Sequence, residues 1–141
     1  MGTKDKGLIV KPNQEGMECW VDAPHASEWN NTASSDPNTA RSKMGHVITY
    51  AGCPMHWTSK MQTAIALPTT EAGYIALSQA MREVLPIIWL MEEARHQGIP
   101  VLNATPKIHC KVFEDNAGAI EIANIQEPNI STSSTITLER K

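Results

Sequence analysis

The chain has 141 residues, 41% of them apolar, and a formal net charge of −3. That length and apolar share predict one domain with a real core and exclude wholesale disorder. The charge excludes a basic nucleic-acid clamp of the usual kind, so a nucleic-acid role would need local basic patches, or cations that cancel an acidic site.

Residues 1–16 are polar, with Lys4, Lys6 and Lys11 around Gly7-Leu-Ile-Val10, and read as a linker with at most one weak strand. Met17-Glu-Cys-Trp-Val21 is a short strand ending at Asp22. Ala23 to Lys43 is rich in Asn, Ser, Thr, Asp and Pro and reads as a long loop. His46-Val-Ile-Thr-Tyr50 and Met55-His-Trp-Thr58, around Ala51-Gly-Cys-Pro54, predict a β-hairpin, and strand character resumes at Thr63-Ala-Ile-Ala-Leu67. A long helix follows, capped by Thr69 or Thr70, with Glu71 in its first turn. Tyr74, Leu77, Met81, Val84, Ile88 and Met91 form its apolar stripe. Pro86 predicts a kink or break within it. Glu92, Glu93 and Arg95 are expected in solvent, and Gly98 with Pro100 ends the helix. After a loop over 101–107 come the strand Ile108-His-Cys-Lys-Val-Phe113, the acidic turn Glu114-Asp-Asn-Ala-Gly118 and a helix from Ala119. The tail from Asn129 shows no periodicity. This order predicts an α/β domain with a mixed sheet, in which the strands before and after the long helix pair in parallel.

Three cysteines (Cys19, Cys53, Cys110) give an odd count with no CxxC pair, against a disulfide framework or a zinc site and for a reducing compartment. No apolar run is long enough to span a membrane, and no signal peptide opens the chain.

The chemistry-bearing candidates are acids. Asp22 ends the first strand and Asp115 the strand before the last helix. As sheet neighbours, those strands would bring both carboxylates together at their carboxyl ends, where α/β sheets place their sites. Glu71 could point to the same place, although it also simply suits the positive end of a helix dipole. Converging carboxylates repel unless cations lie between them, and hard oxygen donors favour Mg²⁺ or Mn²⁺ over zinc. Two such ions about 4 Å apart would clamp the attacking water and leaving oxygen of a phosphodiester. Taken alone, each acid is more often a solvated or capping residue than a ligand.

Five stretches occur in a telling order: Cys19-Trp-Val-Asp-Ala23, Arg41-Ser-Lys-Met-Gly-His-Val-Ile-Thr-Tyr-Ala-Gly52, Trp57-Thr-Ser-Lys60, Thr69-Thr-Glu-Ala-Gly-Tyr-Ile-Ala-Leu77 and Phe113-Glu-Asp-Asn-Ala-Gly-Ala-Ile120. Together, over roughly residues 4–128, the chain resembles the ribonuclease H domain of copia/Ty-type (Pseudoviridae) retrotransposon polyproteins. Residues 1–16 resemble the end of the reverse-transcriptase connection that precedes it, and residues 17–128 the domain itself. Both ends of the chain look cut from a longer polyprotein. The resemblance implies a ribonuclease H-like fold, a mixed five-stranded sheet flanked by helices. It implies metal-dependent hydrolysis of the RNA strand of an RNA–DNA hybrid, with Asp22, Glu71 and Asp115 matching three acidic ligands of Mg²⁺ or Mn²⁺. The implied partners are the hybrid and the reverse transcriptase domain of the same polyprotein, with no membrane, in a cytoplasmic virus-like particle.

The departures are specific. Pro24 stands where the family carries a second acid, Pro68 where Ser is common, and Gly73 where Glu is common. The family closes with Lys-His-Ile, an Asp or Asn, and a helical Tyr-His-His-Phe segment that supplies the fourth metal-site residue; residues 129–141 differ. One permitted back-translation of this tail, read one nucleotide earlier, encodes Lys-His-Ile-Asn-Val-Lys-Tyr-His-His-Phe. A frameshift near Pro128 is the expected cause, and the nucleotide sequence decides it. Two further readings follow, a folded but catalytically impaired relic that at most binds nucleic acid, and an interaction domain without metal.

Other residues carry less weight. Trp20, Trp29, Trp57 and Trp89 could stack on bases, with packing favoured for Trp57 and Trp89. Lys43, Lys60 and Arg82 could meet phosphates, or be ordinary surface charge. The five histidines show no metal-ligand spacing. Asn116 is expected to cap the last helix.

Overall fold

The computed structural model describes residue 7 and residues 9–24, 41–63, 69–104, 107–126 and 136–141. Strand β1 (Met17–Asp22) is followed by β2 (Lys43–Tyr50) and β3 (Cys53–Met61). Then come helix α1 (Thr69–His96), β4 (Cys110–Glu114), α2 (Ala117–Gln126) and β5 (Ile136–Arg140). The five strands form one mixed sheet in the order β3-β2-β1-β4-β5. The architecture is α/β and matches the expected ribonuclease H-like arrangement.

The hairpin β2–β3 turns at Ala51 and Gly52, both at positive φ (53° and 72°), the conformation that two-residue hairpin loops demand. Both strands run longer than their apolar runs foretell, because exposed polar residues such as Lys43 and Lys60 extend the antiparallel ladder at no burial cost. A bulge falls between Ile48 and Thr49. Gly7, Ile9 and Val10 form no strand, and Ile9 is exposed. Of the strand expected at residues 63–67, Thr63 is a bend and the rest lie outside the described residues, as do residues 25–40 of the long loop.

The crossover corrects one expectation. The strand leaving α1 does not pair with β3, the strand before the helix; it lies beside β1, in parallel, so α1 crosses two strands on its way. β5 then adds in parallel to β4, from a tail without visible periodicity.

Alternation sets the core. Met17, Cys19 and Val21 of β1 face the same side as Met44 and Ile48 of β2, Cys110 and Val112 of β4, and Ile136 of β5. Leu77, Met81, Val84, Ile88 and Met91 of α1 pack on that side, as the stripe requires. Burial pushes the Cys19 thiol up to about 12 and raises that of Cys110 as well, and all three cysteines are free. Helix α1 runs unbroken through Pro86, which rules out the break of the two expected alternatives, kink or break. Pro86 and Arg82, whose carbonyl loses its helical partner, are both exposed, so water can serve that oxygen.

The helix ends in a Schellman motif. Gly98 N–H bonds Arg95 O and Ile99 N–H bonds Ala94 O, both at 3.0 Å, with Gly98 at φ 83°. Glu92 is not simply solvated, since its Oε1 accepts the Ile108 N–H at 2.9 Å. That backbone bond, with Arg95 at 2.7 Å, holds its carboxyl below the usual range.

The two helices interlock at their N-termini. A Cβ on Gly73 would lie 3.0 Å from Ala119 Cβ and 3.3 Å from Asn116 Cβ. One on Gly118 would lie 2.9 Å from Thr70 Cγ2 and Oγ1. The glycine at 73 is therefore a packing requirement here, whatever it costs in helix propensity. Replacing it with valine should lower stability by roughly 1–3 kcal/mol through overpacking, read as a lower urea midpoint at unchanged m-value.

Candidate functional site

β1 and β4 pair in parallel with Trp20 opposite Phe113. Asp22 ends β1 two residues after Trp20, and Asp115 stands two residues after Phe113, one past the end of β4, so the register puts both acids at the carboxyl edge of adjoining strands. Both are exposed. Glu71 lies in the first turn of α1 and is exposed as well. The Gly73 and Gly118 contacts fix that turn against the β4–α2 connection.

The connection itself is tied down. Asn116 Oδ1 accepts the Ala119 N–H at 3.1 Å, the expected N-cap of α2. Asn116 N–H donates to Glu114 Oε1 at 3.2 Å. Asp115 thus sits between two residues whose side chains are both engaged by the turn.

Glu114, expected as the first residue of the acidic turn, is instead the last residue of β4. It is 1% exposed, on the core face of β4. Strict alternation from Ile108 through Cys110 and Val112 to Glu114 was the signal that could have found it. Its Oε2 has no hydrogen-bond partner. Burial pushes its carboxyl up to about 7, the Asn116 N–H opposes that rise, and Asp115 and Asp22 add to it.

Asp22, Glu114 and Asp115 therefore form one electrostatic group at the strand ends. Among the described residues, no three of His, Cys, Asp and Glu are gathered closely enough to hold a metal ion together. The chemistry of the donors nevertheless fits a hard cation, because Mg²⁺ is commonly held by one or two carboxylates, with water and substrate phosphate completing its shell.

The other face of the sheet carries an aromatic row. Trp57 of β3, Val47 of β2, Trp20 of β1 and Phe113 of β4 are successive register partners. Trp20 and Phe113 stack with centroids 4.2 Å apart, and Lys141 Nζ lies 5.7 Å over the Trp20 ring. Trp57 and Trp89 are 64% and 66% exposed, which overturns the packing role expected for them. Trp29 lies outside the described residues. Lys43, Lys60 and Arg82 are exposed. His46 is buried against the core side of the sheet and its pKa is lowered, first by burial and then by His56.

Comparison with known proteins adds the chain's context. It is 35% identical over 66 residues to the retrovirus-related Pol polyprotein from transposon TNT 1-94 of Nicotiana tabacum, covering 47% of this chain and 5% of that one. It is 28% identical over 119 residues to the retrovirus-related Pol polyprotein from transposon RE2 of Arabidopsis thaliana, covering 84% of this chain and 7% of that one. It is also 36% identical over 62 residues to the secreted RxLR effector protein 161 of Plasmopara viticola, covering 44% of this chain and 42% of that one. No family model and no solved structure matches. The chain thus has homologues among retrovirus-related Pol polyproteins of plant transposons and spans 5% and 7% of their length. No helix among the described residues is long and apolar enough to cross a membrane.

Glu114 makes a signed prediction. Its folded pKa of about 7 lies above the ordinary 4.5, so the native state keeps a proton that the unfolded chain has lost. Its contribution is fully present below about pH 4.5 and is lost as pH rises towards about 7. Urea denaturation across that range should show stability falling with pH in the wild type and a flatter profile in Glu114→Gln.

Proposed function

We propose that the chain is a ribonuclease H domain of a copia/Ty-type Pol polyprotein, hydrolysing the RNA strand of RNA–DNA hybrids during reverse transcription. The observation that carries this reading is the juxtaposition of Asp22 and Asp115 at the carboxyl ends of paired parallel strands, with Glu71 opening the helix that crosses the sheet. The ordered sequence blocks around the same three acids support it, as does the likeness to Pol polyproteins.

Asp22 and Asp115 would hold Mg²⁺ or Mn²⁺, with Glu71 as the helix-borne donor. A cation bound there supplies an activated water and offsets the charge on the scissile phosphate. The chain's own residues orient the rest. The Asn116 cap and the glycine contacts fix Asp115 and the first turn of α1 relative to each other. Exposed Trp20, Trp57 and Trp89 offer stacking surfaces, and Lys43, Lys60 and Arg82 offer charge to phosphates. On this reading the partners are the hybrid and the reverse transcriptase domain of the same polyprotein, and the place of action is a cytoplasmic virus-like particle.

A second reading, a folded relic that has lost cleavage and at most binds nucleic acid, is favoured by one observation: among the described residues no three acids converge as a metal cage. A labelled RNA–DNA hybrid incubated with Mg²⁺ or Mn²⁺ separates the two. Cutting of the RNA strand by the wild type that is abolished in Asp115→Asn is the expected outcome. A folded wild-type domain that leaves the hybrid intact establishes the relic.

A further inference from the structure

We propose that Glu114 is a positioning residue for Asp115, its buried carboxyl bracing the β4–α2 turn so that the Asp115 side chain is held at the strand ends beside Asp22. The role of Asp115 rests on the function proposed above; the brace itself does not. Glu114 is pinned at three points. Its side chain is 1% exposed and lies against the first turns of α1, with Oε1 3.5 Å from where a Cβ on Gly73 would stand. The same Oε1 accepts the Asn116 N–H at 3.2 Å. Its backbone carbonyl accepts the Lys141 N–H, also at 3.2 Å, at the end of β5. Asn116, on the far side of Asp115, caps α2.

The glycine at position 73 makes this arrangement possible. A side chain there would meet Ala119 and Asn116 and come up against the Glu114 carboxyl. Gly73 and Glu114 thus belong together: the small residue on the helix leaves room for a buried acid on the strand.

Two substitutions separate bracing from mere packing. Glu114→Gln keeps an oxygen to accept the Asn116 N–H, and Glu114→Leu keeps the bulk but removes the acceptor. Amide hydrogen exchange at Asn116 and the Asp115 side-chain carboxyl carbon resonance are read first, without metal or substrate. In Glu114→Leu the Asn116 amide should exchange about tenfold or more faster, the loss expected of one hydrogen bond near 1.4 kcal/mol. The Asp115 resonance should shift with it, while Glu114→Gln stays near wild type in both. If leucine unfolds the domain, Glu114→Met, with a side chain that adapts to irregular space, takes its place. Mn²⁺ affinity and kcat on the hybrid should then fall about 10–100-fold in the leucine variant with KM little changed, as for partners that orient metal ligands, and recover in the glutamine variant. A folded leucine or methionine variant with wild-type Asn116 exchange and an unmoved Asp115 resonance overturns the proposal. A wild type that neither binds Mn²⁺ nor cuts the hybrid overturns the proposed function instead, and leaves the metal-free readings to decide the brace.

Discussion

The parallel pairing of β1 with β4 is the constraint on which the rest depends. Those strands are far apart in sequence and become neighbours only because α1 carries the chain back across the sheet. Register then does the chemistry's work. With Trp20 opposite Phe113, Asp22 and Asp115 fall at the same edge; a slip of one residue would turn one strand over, carrying its acid to the core face and its apolar residues out to solvent. The Trp20–Phe113 stack on the exposed face and the Cys19, Val112 and Cys110 packing on the buried face both fix that register, from opposite sides.

The second constraint is the close approach of two helix N-termini. Backbone amides at those ends favour anions, and here α1 carries Glu71 in its first turn and Asp115 stands just before the Asn116 cap of α2. Glycines at 73 and 118 let the ends approach more closely than any side chain would allow. This converts a helix-propensity weakness into positional precision. A residue that weakens α1 as an isolated helix tightens the assembly of α1, α2 and the β4 turn.

Much of this was legible in the residues. The apolar stripe of α1, the Asn116 cap and the Gly98 stop are local signals, and local physics suffices to read them. Three things were not. Pro86 reads as a breaker because the cost of a missing N–H is counted without knowing that the affected turn faces water. The exposure of Trp57 and Trp89 depends on which face of the sheet and of α1 is covered, and composition carries no trace of that. Glu114 is the most instructive. Its identity argued for solvent, its place in the alternation argued for the core, and the alternation prevailed because Gly73 leaves space and Asn116 supplies a donor. Of the candidate site, sequence named the three acids, but only the fold shows that β1 and β4 adjoin, with Asp22 ending the one and Asp115 following the other, and that a further acid, Glu114, is buried at the end of β4.

The tail separates completing the fold from completing the site. Residues 136–140 depart from the closing segment expected by resemblance, yet they form β5. A parallel edge strand asks little of its sequence: backbone groups to pair with β4, and an apolar residue at the inward positions. Ile136 meets that demand at 3% exposure, Leu138 is half-buried behind it, and Thr137 and Glu139 face outward beside His109 and Lys111. Many unrelated segments could satisfy the same pattern. Side chains that hold a cation are far more demanding, because identity, position and orientation must all be right at once. The sheet and the α1–α2 interlock therefore ask far less of residues 136–141 than a cation site would. Preservation of the sheet is accordingly no measure of catalytic competence, and the weight of the functional question falls on the acids at the ends of β1 and β4.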